Sequence, residues 1–433
     1  MKIAYITAGA GHMYCGSCLR DNTLAAALMA AGHQVLLIPT YTPTRTDEPN
    51  VSQRRVFLGG INVFLQQRLA LFRKTPWVMD RVLDFPPLLR LATRWGVSVD
   101  PAQLGAMTVS MLQGPDGFQR KEIEKLVQFL TDEFRPDIVT LPNSMLAGLA
   151  PAIKARLNVP ICCTLQGEEL FLDSLGEPYR SRAMQLIREH AGCIDAFVAV
   201  SQFGRSMMAE YFGIDAGRIQ VVPMGISFDG YQPRDRDEGG PFTIGYLARV
   251  APEKGLHVLA DAYRRLQTAP GIGPSRLVAA GYLGPEHQGY LAGIKADIDQ
   301  AGLSGQFEYC GEPDRSSKLA FLRQLDVFSV PGPYADPKGL FLLEAMATGV
   351  PVVAPRRGAA TEIVEATGGG ILVDRDSPAA VADGIRALWR DRDLRRECAS
   401  KGFEGVRAQY STGAMVSAAL AVYRSALGEA GGR

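Results

Sequence analysis

Short apolar runs that alternate with amphipathic helical patterns recur along this chain of 433 residues. Apolar residues at consecutive positions are typical of strands that are buried on both faces of a parallel sheet. Parallel strands need crossover connections, so the alternation predicts a series of βαβ units. A chain of this length exceeds a single hydrophobic core, and a polar, glycine-bearing stretch at 230–240 interrupts the series. We therefore predict two parallel-sheet α/β domains that are joined by this linker.

The first predicted unit consists of a strand at Lys2–Thr7, a glycine-bearing loop at 8–18 and a helix at Leu19–Ala31. Open parallel sheets bind ligands at the carboxyl ends of their strands, so the loops that follow strands are the candidate sites. The pattern from Met415 to Leu427 predicts a final amphipathic helix. The other predicted strands are Gln34–Pro39, Asp137–Leu141, Ile161–Leu165, Ala196–Val200, Phe242–Leu247, Arg276–Gly281, Phe307–Gly311, Val327–Pro331 and Val350–Ala354.

Charge and cysteine content narrow the class of protein. A net charge of +1 gives no whole-chain electrostatic attraction for nucleic acid. The uncharged stretch 22–44 is broken by glycine and proline, so it favours helix, turn and strand over a membrane span. Seven cysteines, an odd number, without a recognisable export signal predict free thiols in a reducing compartment. The expected location is the cytoplasm, with peripheral contact at the inner face of the membrane as an additional expectation.

Two cations follow the predicted strand Phe242–Leu247. Arg249 and Lys254 lie five residues apart in the sequence Ala-Arg-Val-Ala-Pro-Glu-Lys-Gly, which leads into a helical pattern. An arginine supplies a planar fork and a lysine supplies a compact charge, and both suit the oxygens of a diphosphate. The alternative for this segment alone is a pair of exposed surface cations.

A second motif extends from Asp336 to Glu362. Asp336 and Pro337 predict a helix start, with Gly339 in its first turn, and the helix is expected to end at Gly349. The helix amino end is an anion site because its N–H groups and its dipole favour negative charge. Glu344 lies between apolar neighbours, so we expect a partly buried, poorly paired carboxylate that a vicinal diol would satisfy. The alternatives are a helix cap for Asp336 and a cap of the next helix for Glu362.

Together these two motifs, in this order, resemble the donor-sugar site of retaining, two-domain (GT-B) glycosyltransferases of the family-four type. The resemblance implies two Rossmann-like domains that face each other across a cleft, which would hold the active site. It covers nearly the whole chain except about 45–120. It implies an N-terminal acceptor-binding domain at 1–229 and a nucleotide-sugar-binding domain at 241–412. It also implies that the helix in 413–433 packs back on the N-terminal domain.

The resemblance also implies roles for individual residues. Arg249, Lys254 and the helix start at Gly339–Leu340 would stabilise the leaving diphosphate, and Asp336 would hold sugar hydroxyls. The remaining donor contacts it implies are Gly16, Lys338, Glu344 and Glu362, of which Glu344 would bind the ribose. The expected co-substrate is a UDP- or GDP-sugar, and the expected acceptor is a glycan, a lipid-linked or a small molecule. No cofactor and no nucleic acid partner are expected.

Several positions depart from the family pattern. Asp336 replaces the usual glutamate, and Lys338 stands where an aromatic residue is common. Segments that carry histidine in the family read Thr-Leu-Pro-Asn-Ser at 140–144 and Thr-Leu-Gln-Gly at 164–167. Met224 replaces an asparagine. These departures leave open which sugar is bound, and they leave open a nucleotide-sugar epimerase, a phosphorylase or a catalytically silent nucleotide-sugar binder.

Other features have competing readings. Segment 45–120 mixes apolar and basic residues, so it either closes over an acceptor, lies on an anionic membrane face, or packs as an ordinary insertion. Cys15 and Cys18 have the spacing of a redox dithiol. Neither the five histidines nor the Asp-Arg-Asp triplets that begin at Asp235, Asp374 and Asp391 have the context of a metal site, so no metal is expected.

Overall fold

The computed structural model describes residues 1–9, 15–73, 101–233, 240–270, 273–374 and 377–428. The chain divides into two compact units, of which unit 1 is Met1–Gly225 with Thr412–Arg433 and unit 2 is Ile226–Ser411. The chain enters unit 2 earlier than the predicted linker, because Tyr231 is buried there and donates a hydrogen bond to Glu344. Positions 10–14 of the first loop, 74–100 of the predicted insertion and 234–239 of the linker lie outside the described residues.

Unit 1 contains a parallel sheet of seven strands in the order β3-β2-β1-β4-β5-β6-β7. Its strands are β1 (Lys2–Ala8), β2 (Gln34–Tyr41), β3 (Phe57–Gly59), β4 (Ile138–Leu141), β5 (Ile161–Leu165), β6 (Ala196–Ala199) and β7 (Ile219–Val221). Its described helices are α1 (Gly16–Ala30), α2 (Gly60–Arg68), α3 (Pro101–Leu112), α4 (Arg120–Phe129), α5 (Ala150–Leu157), α6 (Glu169–Ser174), α7 (Tyr179–His190), α8 (Gln202–Phe212) and the terminal helix, numbered α16 below.

Successive residues of β1 point to opposite faces of this sheet, and each face has its own core. Ile3 and Tyr5 pack with α1 and with the terminal helix α16 (Thr412–Ala426), which contributes Met415 and Tyr423. Ala4 and Ile6 belong to the core on the opposite face. The described parts of the predicted insertion also enter that second core, through the buried side chains Val63, Met111 and Leu112.

A buried polar cluster lies between β1 and α1. Asp21 is 1% exposed, and its carboxylate accepts hydrogen bonds from Tyr5 Oη at 3.0 Å and Thr7 Oγ1 at 2.8 Å. The guanidinium of Arg20 lies 3.6 Å from the same carboxylate and donates to Tyr5 Oη. Burial raises the pKa of Asp21 to about 6, although Arg20 and the two hydroxyls oppose the shift. The folded chain therefore binds this proton more tightly than the unfolded chain does.

This shift predicts how stability depends on pH. A carboxyl whose pKa rises from 3.8 to about 6 on folding stabilises the fold most below pH 3.8, and this contribution is lost as the pH rises through about 6. The unfolding free energy of wild type minus that of Asp21→Asn should therefore fall by about 2–3 kcal/mol between about pH 4 and pH 7. Urea unfolding at several pH values measures it, with the exposed Asp297→Asn as control. A pH-independent difference would contradict the assignment.

Unit 2 contains a parallel sheet of six strands in the order β10-β9-β8-β11-β12-β13. Its strands are β8 (Phe242–Leu247), β9 (Ser275–Ala280), β10 (Phe307–Tyr309), β11 (Val327–Phe328), β12 (Val352–Pro355) and β13 (Gly370–Val373). Its helices are α9 (Leu256–Gln267), α10 (Gln288–Gln300), α11 (Arg315–Arg323), α12 (Leu340–Ala347), α13 (Gly358–Thr367), α14 (Pro378–Arg390) and α15 (Arg392–Gln409).

The direction in which strands are added reverses once in each sheet. The reversal lies between β1 and β4 in unit 1 and between β8 and β11 in unit 2. The chain segments that leave the two strands at such a switch point lead to helices on opposite faces of the sheet, and ligands of open α/β sheets bind at the carboxyl edge there. The structure therefore confirms the predicted fold class, two Rossmann-like parallel-sheet domains. Among the described residues, no helix combines the length and apolar character that a membrane crossing requires.

Some predicted element boundaries are wrong. Helix α1 begins at Gly16 and not at Leu19, because the first-turn bond already runs from Leu19 N–H to the Cys15 carbonyl at 2.9 Å. The strand predicted at Val327–Pro331 has only two residues, Val327 and Phe328, although Ser329 N–H still donates to the Gly245 carbonyl of β8 at 2.9 Å. The helix predicted at Leu146–Leu157 divides into a 3₁₀ segment, Ser144–Leu149, and α5.

Candidate functional site

The two motifs singled out in the sequence follow neighbouring strands of unit 2. β8 pairs in parallel with β11, so the loops that leave them, 248–255 and 329–339, emerge side by side at the switch point. The first loop carries Arg249 and Lys254 and ends at α9, and the second carries Asp336 and ends at α12. The sheet order thus brings together segments that are about eighty residues apart in the chain.

Glycines allow the two loops to touch through their backbones. A Cβ atom on Gly255 would lie 2.4 Å from the carbonyl oxygen of Pro331, and Gly255 also has a positive φ of +73°. A Cβ atom on Gly332 would lie 2.3 Å from the carbonyl oxygen of Glu253. Larger residues at either position would force the loops apart, so this contact fixes Lys254 relative to the second loop.

Lys254 and Asp336 form an ion pair across these loops. The Lys254 ammonium donates to Asp336 Oδ2, and each side chain is 18% exposed. The ammonium also lies 5.7 Å from the centre of the Tyr334 ring and 5.6 Å from that of Phe341. The pair is therefore partly desolvated and held by aromatic faces, which strengthens its electrostatic interactions relative to a surface pair.

Asp336 is held in its ionised form. Its Oδ1 accepts hydrogen bonds from the N–H groups of Lys338 at 2.8 Å and Gly339 at 3.3 Å. Burial alone would raise the pKa of Asp336, but the charges of Lys254 and Lys338 and these hydrogen bonds outweigh burial and lower it. A carboxylate that stays charged at neutral pH accepts hydrogen bonds from sugar hydroxyls.

The helix start predicted at Asp336–Pro337 is wrong by a few residues. Helix α12 begins at Leu340, and Gly339, with φ +62°, precedes it as the N-cap residue. Asp336 closes a turn ahead of the helix instead of capping it, because a residue in the left-handed conformation separates them. Gly339 and Leu340 nevertheless lie at the amino end of α12, where the prediction requires them.

The amino end of α13 contacts the backbone of the loop that carries Asp336. Ala359 N–H donates to the Asp336 carbonyl at 2.9 Å, and a Cβ atom on Gly358 would lie 2.6 Å from that oxygen. Glu362 is in the second turn of α13, so the alternative reading as a cap of this helix is wrong. Burial, and then the charge of Glu362, raise the pKa of the Tyr410 hydroxyl.

The expectation that Glu344 is poorly paired is wrong. Its Oε1 accepts hydrogen bonds from the ammonium of Lys318 and from Tyr231 Oη, the latter at 2.9 Å. All three residues are buried, with Glu344 at 6% exposure. Lys318 lies on α11, whose amphipathic pattern gives no sign of a buried cation, so the sequence offered no signal for this pair.

Arg249 is the other cation of the motif that follows β8. Its guanidinium contacts Glu253, and its side chain is 38% exposed.

Unit 1 presents polar side chains at the carboxyl ends of β4 and β5, next to its own switch point. Glu168 is 5% exposed and accepts hydrogen bonds from the backbone N–H groups of Ser144 at 3.0 Å and Gln166 at 2.7 Å, which ties together the loops after β4 and β5. Gln166 Nε2 donates to the Pro142 carbonyl at 2.9 Å. Asn143 Oδ1 and Gln166 Oε1 are buried and have no hydrogen-bond partner among the described residues. Each of these two carbonyl oxygens can still accept a hydrogen bond that the described residues do not supply.

Two further predictions concern the position of Gly16 and the expectation that the chain binds no metal. Gly16 is the first residue of α1, at the same edge of the unit 1 sheet as these amides. Within the described part of the chain, no group of three or more histidine, cysteine, aspartate or glutamate side chains has metal-site geometry. Asp391 caps α15 by accepting from Leu394 N–H at 2.9 Å, whereas the triplet at 235–237 and positions 375–376 of the second triplet lie outside the described residues.

Sequence comparisons connect both units to known families. Residues 231–404 match the family described as glycosyl transferases group 1, and residues 22–225 match the glycosyl transferase 4-like domain. The phosphatidyl-myo-inositol mannosyltransferase of Mycobacterium leprae is 31% identical over 53% of this chain and 58% of its own length, so the match spans less than two thirds of that relative. The D-inositol 3-phosphate glycosyltransferase 1 of Catenulispora acidiphila is 27% identical over 87% of this chain and 93% of its own.

Solved structures show the same fold at low sequence identity. Sucrose-phosphate synthase of Thermosynechococcus elongatus superimposes with a TM-score of 0.73 at 16% identity, covering 99% of this chain and 100% of that one. Anabaena Alr3699/HepE in complex with UDP gives 0.67 at 17% identity, covering 98% and 100%. The two family matches follow each other along the chain and coincide with its two parallel-sheet units. The chain therefore belongs to the group 1 glycosyltransferases with the GT-B fold.

Proposed function

We propose that this chain transfers a hexose from a nucleotide-sugar donor to a hydroxyl group of an acceptor, with retention of anomeric configuration. The observation that carries the proposal is the Lys254–Asp336 pair at the amino end of α12. This arrangement brings together a cation that can bind a phosphate, a carboxylate that can bind sugar hydroxyls and a helix amino end that can bind an anion. The matches to the group 1 and 4-like families support the same reading.

Donor chemistry follows from these groups. Lys254, Arg249 and the α12 amino end at Gly339–Leu340 would stabilise the charge that develops on the leaving diphosphate. On donor binding, the Lys254 ammonium would exchange part of its contact with Asp336 for phosphate oxygens, which frees Asp336 Oδ2 for sugar hydroxyls. Lys338 would add a second cation beside the sugar or phosphate. The departing phosphate would take the acceptor proton, so no enzymic nucleophile is required.

For the acceptor, we propose a polyol that binds to unit 1. The buried oxygens of Asn143 and Gln166 each lack a donor among the described residues, and hydroxyl groups would supply one. The two relatives named above carry inositol in their printed names, so inositol and inositol phosphate are the first acceptors to test. Gly16, at the same edge, would allow close approach of the acceptor and of the donor phosphate.

Gln166→Leu tests the acceptor assignment. The substitution removes one acceptor oxygen, so the acceptor KM should rise by about tenfold, the loss of a hydrogen bond of about 1.5 kcal/mol. The Kd for the nucleoside diphosphate should stay at the wild-type value, because that ligand is assigned to unit 2. Steady-state kinetics and calorimetry measure the two constants, and Gln220→Leu, at the exposed middle position of β7, serves as control. An unchanged acceptor KM would contradict the assignment.

A ligand screen followed by product analysis tests the function as a whole. Thermal shifts across UDP-, GDP- and ADP-sugars should single out one base, since a ligand at about a hundred times its Kd adds about 2.7 kcal/mol of stability. The selected donor is then incubated with inositol and with inositol phosphate. A glycosylated product supports transfer, and its one-bond C1–H1 coupling, compared with that of the donor sugar, reports retention or inversion. Epimerised nucleotide sugar, sugar phosphate, or binding without turnover would each favour the corresponding alternative and contradict the proposal.

Transfer should not require a divalent metal. In the proposed mechanism, side-chain cations and a helix amino end carry out the charge stabilisation that a bound metal would otherwise supply. The rate in excess EDTA should therefore equal the rate without it. Loss of activity that Mg²⁺ or Mn²⁺ restores would show that one of the Asp-Arg-Asp triplets, or another group, binds a metal.

A further inference from the structure

Two cysteines occupy the first turn of α1, directly after the end of β1. Cys15 is the N-cap residue and Cys18 lies three positions later. Leu19 N–H donates to the Cys15 carbonyl at 2.9 Å, so one full helical turn connects the two cysteines. Residues three apart on a helical turn are neighbours, with about 5–6 Å between Cβ atoms, and a disulfide brings the Cβ atoms to about 3.5–4.5 Å, so closure needs a local shift of only about 1–2 Å. Gly16, between them, adds little steric resistance to closing the remaining gap.

The two thiols lie on the same helical turn, next to the end of β1. Cys18 Sγ lies 2.6 Å from the carbonyl oxygen of Ala8, the last residue of β1, and its interaction with Cys15 is the main cause that raises the pKa of the Cys18 thiol. Among the other cysteines, Cys162 and Cys163 are buried inside β5, and Cys310 is exposed on unit 2. Cys15 and Cys18 are thus a local pair that needs no rearrangement of the sheet to react.

Their environments assign different roles to the two sulfurs. Cys15 is half-buried at the amino end of α1, so its sulfur is the one of the pair that a small oxidant can reach. Cys18 is 2% exposed, and its interaction with Cys15, together with burial, raises the pKa of its thiol. Cys15 is therefore the sulfur that attacks an external oxidant, and Cys18 is the sulfur that resolves the product.

We propose that Cys15 and Cys18 form a reversible disulfide, which makes the start of α1 a site of oxidative modification. The oxidant is a low-molecular-weight disulfide such as glutathione disulfide. The Cys15 thiolate attacks one of its sulfurs and releases one glutathione thiol. Cys18 then loses its proton and attacks Cys15 Sγ, which releases the second glutathione thiol. The protein loses two electrons and two protons, and these convert one glutathione disulfide into two glutathione thiols.

Equilibration with glutathione buffers tests the proposal on the full chain. The protein is held without oxygen at varied ratios of reduced to oxidised glutathione, quenched in acid, alkylated and mapped by mass spectrometry. The oxidised fraction should appear as a Cys15–Cys18 disulfide whose ratio to the dithiol falls with the square of the reduced glutathione concentration. The ratio of a mixed glutathione disulfide to the thiol form would instead fall with the first power of the reduced glutathione concentration. Dithiothreitol should restore both thiols.

Single substitutions separate the two steps. Cys18→Ser should stop at a glutathione adduct on Cys15, with first-power dependence, and Cys15→Ser should leave Cys18 as a thiol. Cys310→Ser is the matched control and should leave the Cys15–Cys18 transition unchanged. Two results would overturn the proposal. One is that Cys15 and Cys18 remain alkylatable in buffers in which Cys310 becomes glutathionylated. The other is that either residue forms a disulfide with a different cysteine of the chain. The readout is the state of the sulfurs, so it is independent of sugar transfer and of its acceptor.

Discussion

Replacing Lys254 by alanine is expected to lower the turnover of sugar transfer by about two orders of magnitude, the scale seen when a charge-stabilising donor is lost. The ammonium is fixed by the Gly255–Pro331 contact, faces the Tyr334 and Phe341 rings and is only 18% exposed, so water cannot fully replace it. Arg249→Ala should lower the turnover by a similar factor, because Arg249 and Lys254 together form the proposed diphosphate clamp. Rates at saturating donor measure the effect.

The control for these variants is a lysine outside the site. Lys295 is exposed on α10, and its replacement by alanine should leave the turnover unchanged. Thermal unfolding of each variant separates loss of chemistry from loss of fold, since Lys254→Ala also leaves Asp336 without its ion-pair partner. A well-folded Lys254→Ala variant with wild-type turnover would refute the clamp. If only Arg249→Ala kept the wild-type turnover, Arg249, the more exposed cation, would be excluded from the clamp and Lys254 would stay in it.

Much of the fold was predictable because it depends on local pattern. The bounds of β8 and β5 were predicted to the residue, since consecutive apolar residues between turns identify a buried parallel strand. The loops that carry Lys254 and Asp336 were identified for the same reason. Their ion pair was not, because it depends on β8 and β11 being neighbours in the sheet. The catalytic and binding roles of these residues stay predictions.

Other contacts were beyond sequence reasoning because they join distant elements. Glu344 was expected to lack a partner, since only its helix neighbours were visible, whereas Lys318 and Tyr231 come from elsewhere in unit 2. The late start of α12 has a local cause, the left-handed conformation of Gly339, which a glycine permits but does not require. The buried oxygens of Asn143 and Gln166 became visible only when their surroundings were known.

Lys318→Met should lower the unfolding free energy by about 3–5 kcal/mol, the cost of leaving a buried charge without its partner. Glu344 would keep one neutral donor, Tyr231 Oη, and only 6% exposure to water. The double variant with Glu344→Gln removes both charges and should recover most of that loss. Lys295→Met on exposed α10 is the matched control and should have little effect. Urea unfolding measures all four proteins, and equal stability of Lys318→Met and wild type would contradict the pair.

The same glutamate is assigned to the ribose, and a ligand that lacks the diol isolates that role. Glu344→Gln should weaken binding of the nucleoside diphosphate by about 1.5–3 kcal/mol, the worth of a hydrogen bond to a charged group. It should leave binding of the 2′,3′-dideoxy analogue nearly unchanged, because that analogue offers Glu344 no hydroxyl. Calorimetry on both ligands compares the losses, and the stability of the variant is measured in parallel. If both ligands weaken equally, Glu344 acts only through its buried pair with Lys318, and the ribose must be bound by another group.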